Sequence, residues 1–338
     1  MTELLATAHA ALVRHGGPGH GLRFGLLIVV VLVVVAVVLI QRQRRKDRTT
    51  MEVASPTAVT GDGGTSVAVV GLAEPIPTGH YHFGDLLRAE WTKLRTVRST
   101  GWTLLITVVL GLGISAIATA ETRAHWASGP VGQHVGFDPT ATSLIGIFVA
   151  QFAVGALGVL AMSSEYSSGT IRTTFSAAPN RLRVLLAKLV VFGVLAVVFA
   201  EVVSFASFFL GQALLTSPAT HATLSSPGAL RAVVGCGLFV AALGVLALGL
   251  ATMMRFTAAA LSTFVGILLI APLIVQALPT SLSEEIRRFL PDRIGAAILT
   301  TTGPSPFAFS PWVGLGVLAL YAVGVNVVGA VLLVRRDA

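Results

Sequence analysis

Seven stretches of this chain are apolar over lengths that leave little choice of surroundings. They lie near residues 25–40, 102–120, 144–163, 184–214, 230–253, 257–278 and 312–334. A helix needs about 20 apolar residues to cross the hydrocarbon of a bilayer. In lipid the backbone has no water to bond, so even the valine-rich run "GLLIVVVLVVVAVVLI" at 25–40 has only the helix open to it. Charged residues make up 11% of the chain and hydrophobic ones 54%, whereas about a quarter of a soluble domain is charged. That is too little polar surface to cover seven such runs in water. The expected fold is all-α: a polytopic membrane protein with a six-helix bundle and an additional N-terminal transmembrane helix.

The polar segments divide the chain. Residues 1–48 read as an extracytoplasmic segment, an anchoring helix at about 25–40 and a basic stop, "QRQRRKDR". No small-residue cleavage site follows the run, and its charge lies after it, which argues against a signal peptide. Residues 49–80, rich in Gly, Pro, Ser and Thr, read as a flexible cytoplasmic linker. The six-span domain then occupies 81–338. It opens with an amphipathic helix at 81–101, in which Phe83, Leu86, Leu87, Trp91, Leu94 and Val97 fall at helical spacing and Arg88, Lys93 and Arg95 lie off that stripe. Such a helix suits the headgroup plane. Between the last two spans, "LSEEIRRFLPDRIGAAIL" carries an apolar pattern interrupted by Pro291 and predicts one or two short helices at the interface.

Charge fixes the expected orientation. With the anchor running outside to inside, sixteen of the 23 Lys and Arg fall in inward-facing segments, among them 41–101 and 163–188. Lys188 is then expected to snorkel back to the cytoplasmic surface. The net charge of +8 has this origin. No basic stripe with interleaved aromatics occurs, so no nucleic-acid partner is expected. Cys236 stands alone and can form no intramolecular disulfide.

Two stretches carry more information than hydropathy. "LLRAEWTKLRTVRSTGW" precedes the first of the six spans, and "EYSSGTIRTTFSAAPNRLRVLLAK" (165–188) joins the second to the third. In that order, and with four further spans to follow, they resemble the membrane subunit of an ABC exporter of the type-two permease family over about residues 82–336. The resemblance implies a six-span exporter permease that pairs with a second copy or a homologue and binds a separate cytoplasmic ABC ATPase. ATP would be held by that partner, with no cofactor in this chain.

The resemblance further implies an elbow helix containing Leu87, Glu90, Trp91, Lys93 and Leu94. It also implies an ATPase-coupling loop. Glu165, Gly169, Thr170, Ile171, Arg172 and Phe175 would form the loop's helix and contact face, with Pro179 and Arg181 ending it and leading into the next span. Ile171 and Phe175, four apart, would be its apolar tooth. The alternative is an ordinary solvated cytoplasmic loop. The composition also resembles that of actinobacterial chains of this type, which places the expected site in the plasma membrane among its lipids.

Other candidates stay open. Glu90 faces a cytoplasmic helix end or Arg172, or else pairs locally with Lys93. Glu201 is the one acid deep inside an expected span. It is either a hydrogen-bonded structural group, with Ser204 or Ser207 in reach, or a substrate or proton site. Gln151 and Gln212 could line a polar cavity with it at a dimer interface. Glycines 111, 113, 146, 155, 158, 235, 237 and 244 allow close helix approach. No G-x-x-x-x-G-K-[ST], H-E-x-x-H or G-x-S-x-G occurs, and His80 with His82 lacks a third ligand for a metal. The chain is expected not to be an enzyme. A membrane-anchored sensor or scaffold, and a lipid-acting membrane enzyme, are the competing classes.

Overall fold

The computed structural model describes residues 82–126, 136–217, 219–302 and 308–335. The anchor at 25–40 and the linker at 49–80 lie outside them. The described residues are mostly helical, with no strand among them. An amphipathic helix α1 (Phe83–Thr96) meets α2 (Arg98–Ala124) across a single extended residue, Val97. A short α3 (Pro139–Ser143) leads into α4 (Ile147–Ser168). Then come a short α5 (Thr170–Ala177), the long α6 (Arg181–Leu214) and α7 (Ala229–Met254). The helix α8 (Thr257–Gln276) is followed by two short helices, α9 (Thr280–Arg287) and α10 (Pro291–Leu299), and the chain closes with α11 (Pro311–Arg335). Six of these, α2, α4, α6, α7, α8 and α11, are long and apolar enough to cross a membrane.

Burial sorts the six into two kinds. The apolar stretches of α4 and α7 are 78% buried, whereas those of the other four are 22–28% buried. The first two therefore form the centre. Around them, α2 packs on α4 and α6, while α6, α8 and α11 each pack on α7. The outer helices turn apolar faces away from the protein, as Val194, Val198 and Val202 do on α6 and Leu320, Val323 and Val327 on α11. In a membrane protein those faces meet lipid.

Small residues set the central contact. A Cβ on Gly158 of α4 would collide with the Gly244 carbonyl of α7, and one on Gly244 would lie 2.9 Å from Val154. The two backbones thus touch, as helices without a hydrophobic drive toward one another require. Gly155 lies against the Phe264 ring, Gly235 against Ile298 and Gly146 against the Gly111 carbonyl. Gly113 differs from the others, since open space surrounds it.

Two features refine the expected boundaries. In α8, a π-helical segment at Gly266–Ile270 precedes Pro272. Proline has no N–H to give and its ring clashes with the carbonyl four residues back, and widening the turn relieves both. In the last connection, Pro291 opens α10 at its first position, where a missing N–H costs nothing. Ile294 and Ile298 are then fully buried as α10 packs on α7 and α11, so α10 belongs to the core as well as to the surface of the bundle.

Candidate functional site

The sites begin at the end of the bundle where α1 lies. Among α1 residues only Glu90 is buried, while Leu87 and Leu94 are half-buried and Trp91 is 49% exposed. Helical spacing puts Glu90 and Lys93 on one face, and the Lys93 Nζ lies 2.7 Å from Glu90 Oε1. The other Glu90 oxygen, Oε2, accepts from Lys188 Nζ at 2.6 Å. Lys188 also donates to Glu165 Oε1 at 2.8 Å and to the Ala161 carbonyl at 3.3 Å. Lys93 closes the ring on the same Glu165 oxygen at 3.0 Å. Two lysines and two glutamates from α1, α4 and α6 thus form a neutral, closed cluster.

This arrangement corrects two expectations and decides among the alternatives for Glu90. Lys188 does not snorkel: it is 4% exposed, and all three of its N–H groups find acceptors inside the protein. Glu90 meets both Lys93 and a helix end, and that helix end is Lys188 rather than the exposed Arg172. Glu165 is not on the short helix expected to form the contact face. It lies in the last turn of α4, buried, with its carboxylate turned into the cluster. Burial by itself would lower the Lys93 ammonium, but the carboxylates of Glu165 and Glu90 outweigh it and hold the group above its ordinary value.

Directly after the cluster the chain turns. Gly169 ends α4 at φ 72°, a left-handed conformation that glycine takes without steric cost, and α5 begins at Thr170. Ile171 is 4% exposed and packs into the core, and Phe175 is half-buried against it. The expected apolar tooth therefore points inward and holds α5 to the bundle. The outward face includes Gly169, Thr170, Arg172, Thr173 and Ser176, with Ala177 at its end. Beyond α5 and Pro179, the Asn180 side chain caps α6 by accepting from the Arg183 N–H. Arg181 lies 5.3 Å above the Phe175 ring and donates to the Leu333 carbonyl of α11 at 3.0 Å. The loop is thus tied to α4, α6 and α11 together.

The intramembrane candidates do not come together. Glu201 packs its carboxyl carbon against Gly237 of α7, and its Oε2 is buried without a hydrogen-bond partner. Ser204 donates instead to the Val233 carbonyl at 2.7 Å. Gln212 lies eleven residues further along α6, about 16 Å at 1.5 Å per residue. It donates to Ser143 Oγ and the Pro139 carbonyl and accepts from the Ala222 N–H. Its role is to staple connections at the far end of the bundle. Gln151 is buried in the early turns of α4. Neither glutamine bonds Glu201.

Sequence reasoning passed over Asp138 at that far end. One oxygen caps α3 through the Ala141 N–H at 2.9 Å, and the other accepts from the Thr301 and Thr302 N–H groups. Its place before Pro139, at the start of a short helix, was the available signal. Among the described residues, no cluster of three or more His, Cys, Asp and Glu is placed to hold a metal ion.

Six spans, an amphipathic helix bolted to their base and a short polar helix between the second and third define a recognisable plan. A sequence profile described as ABC-2 family transporter protein matches residues 86–274, more than half of the chain. The chain belongs to the ABC-2 transporter family. The match begins inside α1 and runs through most of α8, so all four residues of the charged cluster and all of α5 lie within it. No curated protein matches the chain. As an ABC-2 family member with six membrane-crossing helices, it is a membrane permease.

Proposed function

We propose that this ABC-2 permease is the membrane subunit of an exporter that couples ATP hydrolysis in a separate cytoplasmic ATPase to substrate translocation across the plasma membrane. Two such subunits, identical or related, would form the pathway, each meeting one ATPase. The observation that carries this reading is the attachment of α5. It follows Glu165 by five residues, shows a polar face outward and is anchored inward through Ile171 and Arg181.

The geometry suggests how force would travel. A partner pressing on Arg172, Thr173 and Ser176 would move α5, and through Ile171 and the Arg181–Leu333 bond it would move α6 and α11. Because Lys188 and Glu165 bind α4 and α6 to α1, the three would shift as one body. That is rigid-body rocking between two packed arrangements, driven by the ATPase's differential affinity for the two.

The test is to purify the tagged permease from its own membranes with any bound P-loop ATPase, then measure nucleotide hydrolysis by the pair in nanodiscs. Arg172→Glu is expected to abolish copurification and stimulated hydrolysis while the permease elutes and melts as the parent does. An Arg172→Glu permease that still recruits and stimulates the ATPase would contradict the proposed docking face.

A further inference from the structure

Between α1, the end of α4 and the α7–α8 turn lies a cavity of about 950 Å³, at the upper end of the range for ligand sites, roughly 300–1,000 Å³. Its walls are unequal along α4. Leu157 and Leu160 line it from α4, Leu94 and Val97 from α1, and Phe256, 74% exposed, from the α7–α8 turn. Ser164, Ser167, Ser168 and Thr170 line the other end. Leu157 precedes Glu165 by eight residues, or about 12 Å along the helix, so on α4 the apolar wall lies farther from the charged cluster than Ser164, Ser167 and Ser168 do.

The charged cluster forms part of this lining, and burial decides which sign it shows. The Glu90, Glu165 and Lys188 side chains are 5%, 10% and 4% exposed, whereas Lys93 is 40% exposed. Of these four, the group most exposed to the cavity is therefore an ammonium, with the carboxylates behind it, and Arg255 adds a second cation to the lining from the α7–α8 turn. A charged end near the surface and an apolar wall beneath match a molecule with one anionic head and one apolar chain.

We propose that this cavity binds an anionic amphiphile, its headgroup on Lys93 and the nearby serines and its chain along Leu94, Val97, Leu157 and Leu160. The site needs only the membrane placement of the chain and not its coupling to an ATPase, so it stands or falls separately from the proposed function.

The test is lipid retention by the purified full-length chain in mild detergent, with labelled phosphatidylglycerol, phosphatidylcholine, dodecyl phosphate or inorganic phosphate, followed by gel filtration. The parent is expected to retain phosphatidylglycerol or dodecyl phosphate about fivefold better than phosphatidylcholine, the worth of one lysine beside an anionic headgroup. Stronger retention of phosphatidylglycerol assigns the site to a bilayer lipid, and stronger retention of dodecyl phosphate assigns it to a single-chain amphiphile. Lys93→Gln is expected to weaken the preference, with Arg255 still in the cavity wall. Because that change also touches the cluster, Ser164→Trp serves as the second variant: it fills the cavity from an exposed position, keeps all four charges, and is expected to lower retention of the anionic amphiphiles. Equal retention of anionic and neutral lipid by the parent, undiminished retention by Ser164→Trp, or displacement by inorganic phosphate alone would each overturn the proposal.

Discussion

Lys188 and Glu90 meet at 2.6 Å although 98 positions separate them in the chain, and both are buried at the junction of α1 and α6. A buried pair adds little net stability compared with an apolar pair of the same shape. Removing one member, however, strands the other charge away from water. Lys188→Met leaves Glu90 and Glu165 to share Lys93 alone, and it is expected to destabilise the permease by about 3 kcal/mol. Denaturant unfolding in detergent checks this. The triple variant with Glu90→Gln and Glu165→Gln is expected to recover part of the loss, because no carboxylate is then left uncompensated.

The same cluster sets an alkaline limit. The Lys93 ammonium is held above its ordinary value of 10.5, with burial opposing and Glu165 and Glu90 prevailing. A base whose folded-state value is raised contributes stability that is fully present below the unfolded value and lost as pH rises through the folded one. The melting-temperature gap between the parent and Lys93→Gln is therefore expected to stay constant from neutral pH up to about 10.5 and to shrink above it. A gap that closed below pH 9 would show that Lys93 is not held this way.

Close helix contact predicts a contrast between glycines. Gly158→Ala places a methyl group on the Gly244 carbonyl, and the overpacking is expected to cost about 1–3 kcal/mol. Gly113→Ala meets open space on α2 and is expected to be neutral or to stabilise the helix by up to about 1 kcal/mol. Parallel unfolding curves of the two variants make the comparison.

At the opposite end, Asp138 joins α3 to the segment after α10 through Ala141, Thr301 and Thr302. Asp138→Ala removes one acceptor group from three backbone donors and is expected to cost about 1–3 kcal/mol. Hydrogen exchange at Thr301 and Thr302 is expected to accelerate, while that of α7 stays slow. Unchanged exchange at those two amides would mean that Asp138 does not secure the connection.

The spans were legible in the sequence because hydropathy is a local property. Each of the six falls within a few residues of its expected place, and even Pro291 marked the break between α9 and α10. The candidate site was less legible, because its contacts are not local. A lysine four residues inside an expected span boundary reads as snorkelling unless its acceptors are known, and those of Lys188 lie on α1 and α4. Ile171 and Phe175 have the spacing of one helical face, but spacing does not say whether that face meets a partner or the chain's own core. Gln212, apolar on both sides in sequence, sits where α6 ends and connecting segments begin, so its partners are those segments rather than Glu201.

The account turns on α5 facing the cytoplasm, where a nucleotide-driven partner can reach it. Thr173 is exposed on its outward face, and Cys236 is buried in the bundle, so a Thr173→Cys permease carries one accessible thiol among the described residues. Labelling in intact cells with a membrane-impermeant maleimide, before and after permeabilisation, reads its side directly. The account predicts labelling only after permeabilisation; modification of that thiol in intact cells would contradict it.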